Sequence, residues 1–349
     1  MDINIDLLKS FGMLSRIYGR TTIFILNDEN LGRDCVHLTT LVTGVTGFIG
    51  SRLKEGRRGL VRSVANARPQ DVVGDILDIA SLRKACADMQ TVIHCAGYAH
   101  AVAQSDAKAH WQINYEGTRN LVDAALQMGV KQIIFLSSVK AVGSPGDRCV
   151  SEDWAEPPTT PYGLSKRAAE EYLLNAGVKS GMNIVNLRLA MTYGQGGRGN
   201  LERMVRAVQA GYFPPIPQSI NKRSLIHVDD VISAVGAVLN QPIANGKTYN
   251  VASRAGYSAR DLLDAIREVS GLAPIRWAVP SIVWKITGRI GDGLNKISKE
   301  FCPLSSEVVS RLLEPECYSS ALIERELSWR AKVDLRDGLR EMCSYEARV

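Results

Sequence analysis

Short runs of β-branched and aliphatic residues alternate with longer amphipathic stretches through the first half of this chain. The apolar runs fall at residues 38–43, 60–64, 72–73, 91–95, 132–136 and 183–189, and helical periodicity occupies 81–88, 107–127 and 162–176. That succession predicts an α/β fold, a mostly parallel, doubly wound sheet with helices on both faces and ligands at the strands' carboxyl ends. Beyond Gly194 the rhythm loosens. Helices are predicted at 201–210, 231–239, 259–269, 306–313, 319–327 and 335–346, with a strand at 248–251. The chain therefore divides into an N-terminal extension (1–37), an α/β domain (38–195) and a smaller, mainly substrate-binding lobe (196–349), part of 223–251 returning to the first sheet. In the extension Ile23-Phe24-Ile25-Leu26 is apolar, but Lys9, Arg16 and Arg20 interrupt any signal-peptide core. It reads as an added helix or strand, or as an extension from an upstream start site.

The first apolar run ends in Gly44-Val45-Thr46-Gly47-Phe48-Ile49-Gly50. Strand, glycine turn and helix start in that order form a phosphate site in outline, because glycines let backbone N–H groups approach a pyrophosphate closely. The spacing, Gly-x-x-Gly-x-x-Gly, differs from the Gly-x-Gly-x-x-Gly fingerprint, and a plain glycine-rich turn is the competing reading. Gly44, Gly47, Phe48, Ile49 and Gly50 are the cofactor candidates here. An acidic residue at the end of the second strand would hold the adenosine ribose, but that place has only Asn66 and Arg68.

Composition narrows the picture little. The 349 residues are 45% hydrophobic and 22% charged, as in ordinary folded proteins, and the charge of +6 is spread without a basic block or aromatic interleaving, which argues against nucleic acid. No apolar run reaches the ~20 residues of a membrane span. Seven cysteines without a Cys-x-x-Cys pair predict reduced, packed thiols in a cytoplasmic protein. No His, Cys and carboxylate cluster has metal-site spacing.

One of the eleven tyrosines has a lysine four residues on, Tyr162-Gly-Leu-Ser-Lys166. Positions i and i+4 share a helix face, so the ammonium can favour the phenolate and make Tyr162 an acid or base near neutral pH. The fifth strand ends in Ser138, whose hydroxyl can reach the same reacting oxygen.

The glycine turn, Ser138 and Tyr162/Lys166 together resemble the extended short-chain dehydrogenase/reductase family, over about residues 38–338. Gly74-Asp75-Ile76 is similar to its adenine-contacting motif, His94-Cys95-Ala96-Gly97 to its strand-four motif and Asn114 to its central-helix asparagine. Arg223-Ser-Leu-Ile-His-Val-Asp-Asp resembles the phosphate-arginine segment of nucleotide-sugar enzymes, and Ser137-Ser138-Val139-Lys140-x-x-Gly143 resembles bacterial nucleotide-sugar epimerases and C4 reductases. The resemblance implies a Rossmann-like fold, with Tyr162 as acid/base, Lys166 tuning it and holding the nicotinamide ribose, and Ser138 positioning the substrate oxygen. Asp75, Ile76, Ala96, Gly97 and Asn114 would contact NAD or NADP; Arg223 and Asn200 would contact the nucleotide sugar. Asn114 also reads as a solvated helix position, Arg223 as a solvated charge and Asn200 as a helix cap; His227 reads as a packing histidine. Ala190 stands where proline is usual. Val139-Lys140 replaces the Asp-Glu pair of sugar dehydratases, which argues against dehydration.

The implied activity is NAD(P)-dependent C4 epimerisation of a nucleoside-diphosphate sugar, in surface-polysaccharide synthesis, by a cytoplasmic protein with room for a homodimer. The alternatives are an NADPH-dependent reductase of a 4-keto-6-deoxy nucleotide sugar, a 3β-hydroxysteroid-type dehydrogenase that would have little use for Arg223, and a non-catalytic dinucleotide-binding protein.

Overall fold

The computed structural model describes residues 16–17, 20–21, 39–99, 106–197, 199–218, 221–297, 305–306, 309–310 and 314–346. The apolar run 23–26, Cys35, Cys302 and most of the helix expected at 306–313 lie outside them. Of the extension, Arg16–Ile17 and Arg20–Thr21 pair antiparallel.

Seven strands form the central sheet: β1 (Thr40–Thr43), β2 (Arg58–Val61), β3 (Val72–Val73), β4 (Thr91–His94), β5 (Gln132–Ser138), β6 (Asn183–Leu189) and β7 (Lys247–Val251). Their order is 7-6-5-4-1-2-3 and every pairing is parallel. β1 lies between β2 and β4, so the winding reverses there and opens a crevice at the carboxyl ends of β1 and β4. On one face α2 (Ile79–Cys86), α4 (Gly117–Gln127) and α5 (Pro161–Ser180) bury Leu82, Leu121, Val122 and Leu173 against Ile133 and Phe135. On the other, α7 (Val228–Val238) and α10 (Ala321–Leu327) bury Val231, Val235 and Ile323 against Ile134, Leu187 and Tyr249.

The second strand sits two residues earlier than its apolar pattern suggests. Gly59 falls inside it because Asp71 crosses the strand there: the Gly59 N–H donates to the Asp71 carboxylate (2.8 Å), and a Cβ would stand 2.7 Å from that oxygen. The helix expected at 107–127 is continuous but uneven, with α3 (Ala107–His110) passing into a π-helical turn at Trp111–Glu116 before α4. Such wide turns recur at functional sites.

The remaining helices are α1 (Gly50–Leu53), α6 (Asn200–Gln209), α8 (Ala259–Val269), α9 (Ser281–Ile297) and α11 (Leu335–Glu346). Leu201, Val205, Leu263, Ile266, Trp284 and Leu339 give this second lobe its own core. Its sheet is small: Met191–Tyr193 runs parallel to Arg223–His227, which pairs antiparallel with Gly256–Tyr257. The expectation of reduced thiols fails at Cys149 and Cys317, which form a disulfide across 168 residues. The cause is register: Cys149–Val150 pairs in parallel with Cys317–Tyr318, and the two cysteines face each other. Cys86 and Cys95 are free thiols. No described helix is long and apolar enough to cross a membrane.

Candidate active site

The glycine turn lies at the crevice between β1 and β4, and its glycines have different reasons to be there. Gly44 is left-handed (φ +71°), and a Cβ would meet the Ala96 nitrogen at 2.7 Å, so β1 and the loop after β4 could not close together. A Cβ on Gly50 would run into the Gly44 carbonyl oxygen. Gly47 has neither constraint: its backbone is not left-handed, its N–H closes the turn onto Gly44 O (2.9 Å), and its Cβ would meet only that oxygen, at 3.1 Å. Packing does not demand glycine there, and the space it leaves fits an approaching pyrophosphate. α1 is a single turn and adds little dipole, so an anion at this turn would meet chiefly the turn's own N–H groups.

Ser138 is the last residue of β5, and Tyr162 is in the first turn of α5, where Pro161 opens the helix and the capping Thr160 hydroxyl accepts from Gly163 N (3.1 Å). The half-buried Tyr162 phenol lies beside the Ser138 side chain. Burial pushes its pKa up and the serine pulls it back down. Lys166 follows one turn later, fully inside. Its ammonium donates to Leu136 O (3.0 Å) and lies 4.6 Å from the centre of the Phe135 ring. Burial lowers its pKa to about 8, against the opposing charge of Glu170. Ser138 thus joins Lys166, to which the spacing points, as a group that can favour the phenolate. Glu170, one further turn along the same face, binds the buried Arg188 in a fork (3.0 and 2.7 Å) and accepts from Ser137.

A Cβ on Gly97 would stand 3.2 Å from Asn114 Oδ1 and 3.5 Å from Lys166 Nζ, so the loop after β4 links the glycine turn to the tyrosine helix. Asn114 is 1% exposed, which rules out a solvated helix position. From the π-helical turn its carboxamide accepts from Tyr98 N (2.7 Å) and donates to Tyr98 O and to Ser165 Oγ (both 3.1 Å).

Beneath this loop lies His94, its ring nitrogens against Thr43 Oγ1 (2.7 Å) and Thr118 Oγ1 (2.9 Å). Thr118 donates to Asn114 O and Thr43 accepts from Ala96 N, so the proton belongs on His94 Nε2 and Nδ1 accepts from Thr43. Burial, with Lys166 adding to it, holds the His94 pKa down at about 3. The unfolded chain protonates this residue near the ordinary ~6.5, so its contribution to stability is complete above that pH and declines as pH falls towards about 3. Urea midpoints of wild type and His94→Gln should diverge below pH 6.5, the wild type losing up to about 1.4 kcal/mol more per pH unit. Parallel curves would remove His94 as the cause.

Other expected residues are placed differently. Arg68 is committed to structure: it binds Asp71 (2.8 Å) and the carbonyls of Lys54 (2.7 Å) and Arg57 (2.9 Å), and is not available to a 2′-phosphate. Arg62, exposed immediately after β2, is the basic group at that position. Asp75 is exposed and its carboxylate accepts from Leu77 N (2.9 Å), while Ile76 is buried where a Cβ on Gly117 would strike it. Asn200 is exposed at the start of α6, and the cap is Gly199, whose N–H donates to Glu202 (2.8 Å). His227 is buried against Tyr193. Arg223 forms an ion pair with Glu316, which also holds Lys140. Burial raises the Glu316 pKa, but the two cations outweigh it and keep the carboxyl below its usual range.

Residues 40–252, more than half of the chain, match the NAD dependent epimerase/dehydratase family. The UDP-glucose 4-epimerase of Vibrio cholerae is 27% identical over 323 residues, covering 86% of this chain and 93% of the relative. The N-acetyl-alpha-D-glucosaminyl-diphospho-ditrans,octacis-undecaprenol 4-epimerase of Escherichia coli O157:H7 is 25% identical, covering 88% and 94%. Among solved structures, the Thermus thermophilus UDP-glucose 4-epimerase in complex with NAD superimposes with a TM-score of 0.67 at 25% identity, covering 88% and 98%. With a glycine turn open at Gly47 and a Tyr162 that lies beside Ser138 one helical turn ahead of Lys166, the chain belongs to the NAD dependent epimerase/dehydratase family of enzymes.

Proposed function

We propose that this enzyme inverts C4 of a hexose linked to a nucleoside diphosphate, with NAD or NADP as coenzyme, in the making of surface-polysaccharide sugars. The observation that carries the proposal is the Tyr162 phenol beside Ser138, with Lys166 behind it and Gly97 joining both to the glycine turn. Tyr162 takes the proton of the C4 hydroxyl, and the Ser138 hydroxyl holds the reacting oxygen in place. A dinucleotide held at the glycine turn and by Lys166 would supply reversible hydride transfer at C4, on either face of the 4-keto sugar. Tyr162 then gives the proton back. Lys166, buried and cationic, suits a ribose hydroxyl as well as the Leu136 carbonyl it now holds. Dehydration is disfavoured because Val139 is buried and Lys140 is paired with Glu316, so no carboxyl follows Ser138 to serve as acid and base. Identifying the dinucleotide that copurifies, then screening UDP- and GDP-sugars by mass spectrometry and NMR, tests the reading; no turnover of any diphosphate-linked hexose would contradict it.

One observation favours a second reading. Arg62 occupies the position after β2 where a carboxylate would select NAD, and an arginine there accommodates a 2′-phosphate. NADP would suit a one-way C4 reductase in which Tyr162 donates the proton.

The Escherichia coli relative's substrate carries its diphosphate on a polyprenol, so the two named relatives share a hexose on a diphosphate. Arg223 is assigned to that diphosphate and must be taken from Glu316. Arg223→Ala should therefore weaken UDP by about tenfold or more, one charge-assisted hydrogen bond being worth ~1.5–3 kcal/mol. Glu316→Gln should tighten it. Calorimetry showing equal UDP affinity in all three proteins would favour a steroid-type substrate.

A further inference from the structure

Helix α9 buries one side and leaves an apolar stripe on the other. Trp284, Gly288 and Gly291 form its buried side, with Trp284 3% exposed and Gly288 pressed against Ser306. Opposite them Ile282, Ile286 and Ile290 recur every four residues at 61%, 50% and 57% exposure, with Val283 beside them at 41%. Trp277, in the segment leading into the helix, is 66% exposed. At about 100° per residue the three isoleucines and Val283 span roughly a quarter to a third of the helix circumference, centred away from Trp284. Along one border run Lys285 and Arg289, and Arg276 adjoins Trp277; all three are exposed. Residues 276–291 contain no acid, and the next one, Asp292, accepts from Ser306 N (3.0 Å).

An ordinary surface helix turns its apolar stripe inward; here the stripe faces out and is edged by cations. We propose that α9, with Arg276 and Trp277, is a peripheral docking surface for an anionic lipid bilayer. The isoleucines and Trp277 enter the headgroup–acyl boundary while Arg276, Lys285 and Arg289 meet anionic headgroups. Charge selects this occupant over a second copy of the chain. Across an antiparallel two-fold contact Lys285 and Arg289 would face their own equivalents, whereas an anionic surface neutralises them. Docking is independent of which sugar is turned over, and it would hold the enzyme at the surface where a lipid-linked diphosphosugar resides.

Flotation of the full-length protein with phosphatidylcholine vesicles, with or without about 30% phosphatidylglycerol, tests this. The wild type should float with anionic vesicles about tenfold better than with neutral ones, and high salt should release it. Ile286→Ser/Ile290→Ser and Lys285→Glu/Arg289→Glu should each lower binding about tenfold, with circular dichroism and sugar turnover unchanged. A wild type that stays unbound, or variants that float equally well, would overturn the proposal. So would a dimer, seen by sedimentation without vesicle binding, that the isoleucine variant dissociates, because the stripe would then be an interface between copies.

Discussion

Tyr162→Phe is expected to cut turnover by a factor of about 10²–10⁴ and to leave dinucleotide binding intact. Phenylalanine keeps the ring at the start of α5 and removes the one atom that titrates and meets Ser138. Lys166→Met should impair both turnover and binding, since it removes the ammonium that now sits on Leu136 O beside Gly97. Ser138→Ala should lie between them, because the hydroxyl both favours the phenolate and holds the substrate oxygen. Single-turnover kinetics with a binding titration separate these effects. Near-normal turnover in Tyr162→Phe would eliminate the phenol as the proton-transfer group.

Gly47→Val is expected to abolish measurable dinucleotide binding in a folded protein. Gly47 is not left-handed and has a single close neighbour, the Gly44 oxygen at 3.1 Å, so the backbone tolerates a side chain that fills the pyrophosphate's space. Each charge-assisted hydrogen bond to the pyrophosphate that can no longer form costs about 1.5–3 kcal/mol, so dissociation constants should rise at least about tenfold per bond. Gly44→Ala serves as contrast: it should damage the fold as well, through its positive φ and collision with Ala96. Circular dichroism near wild type with unchanged dinucleotide affinity in Gly47→Val would remove the phosphate role from this turn.

What can be read in the sequence is what depends on near neighbours. The strand–turn–helix of residues 40–53 and the i,i+4 pair Tyr162/Lys166 are local, and the structure places them as the pattern implies. β6 and α8 begin and end at the expected residues because their apolar periodicity is undisturbed. α9 shows only as an apolar Val283-Trp284, its pattern interrupted by Gly288, Gly291 and Gly293. Partners of the site's charges are hidden for another reason. Glu170 meets Arg188 across an adjoining strand, and Glu316 reaches Arg223 from 93 residues away, so neither pairing has a spacing to betray it. The Cys149–Cys317 bond depends likewise on strand register. Two signals are within reach: Glu170 continues the Tyr162/Lys166 face by one turn, and Asp71 lies three residues from Arg68. The first marks the charge that opposes the effect of burial on Lys166, and the second shows why Arg68 is not a coenzyme group.

The most direct test of proton transfer by Tyr162 with hydride return at C4 follows a label at that carbon. The first diphosphate-linked hexose turned over is prepared with deuterium at C4 and converted in ordinary water, and the product is analysed by NMR. Both epimers should retain deuterium at C4, with no net build-up of reduced coenzyme. Loss of the label to solvent, or its stoichiometric transfer to released coenzyme, would contradict the epimerase reading.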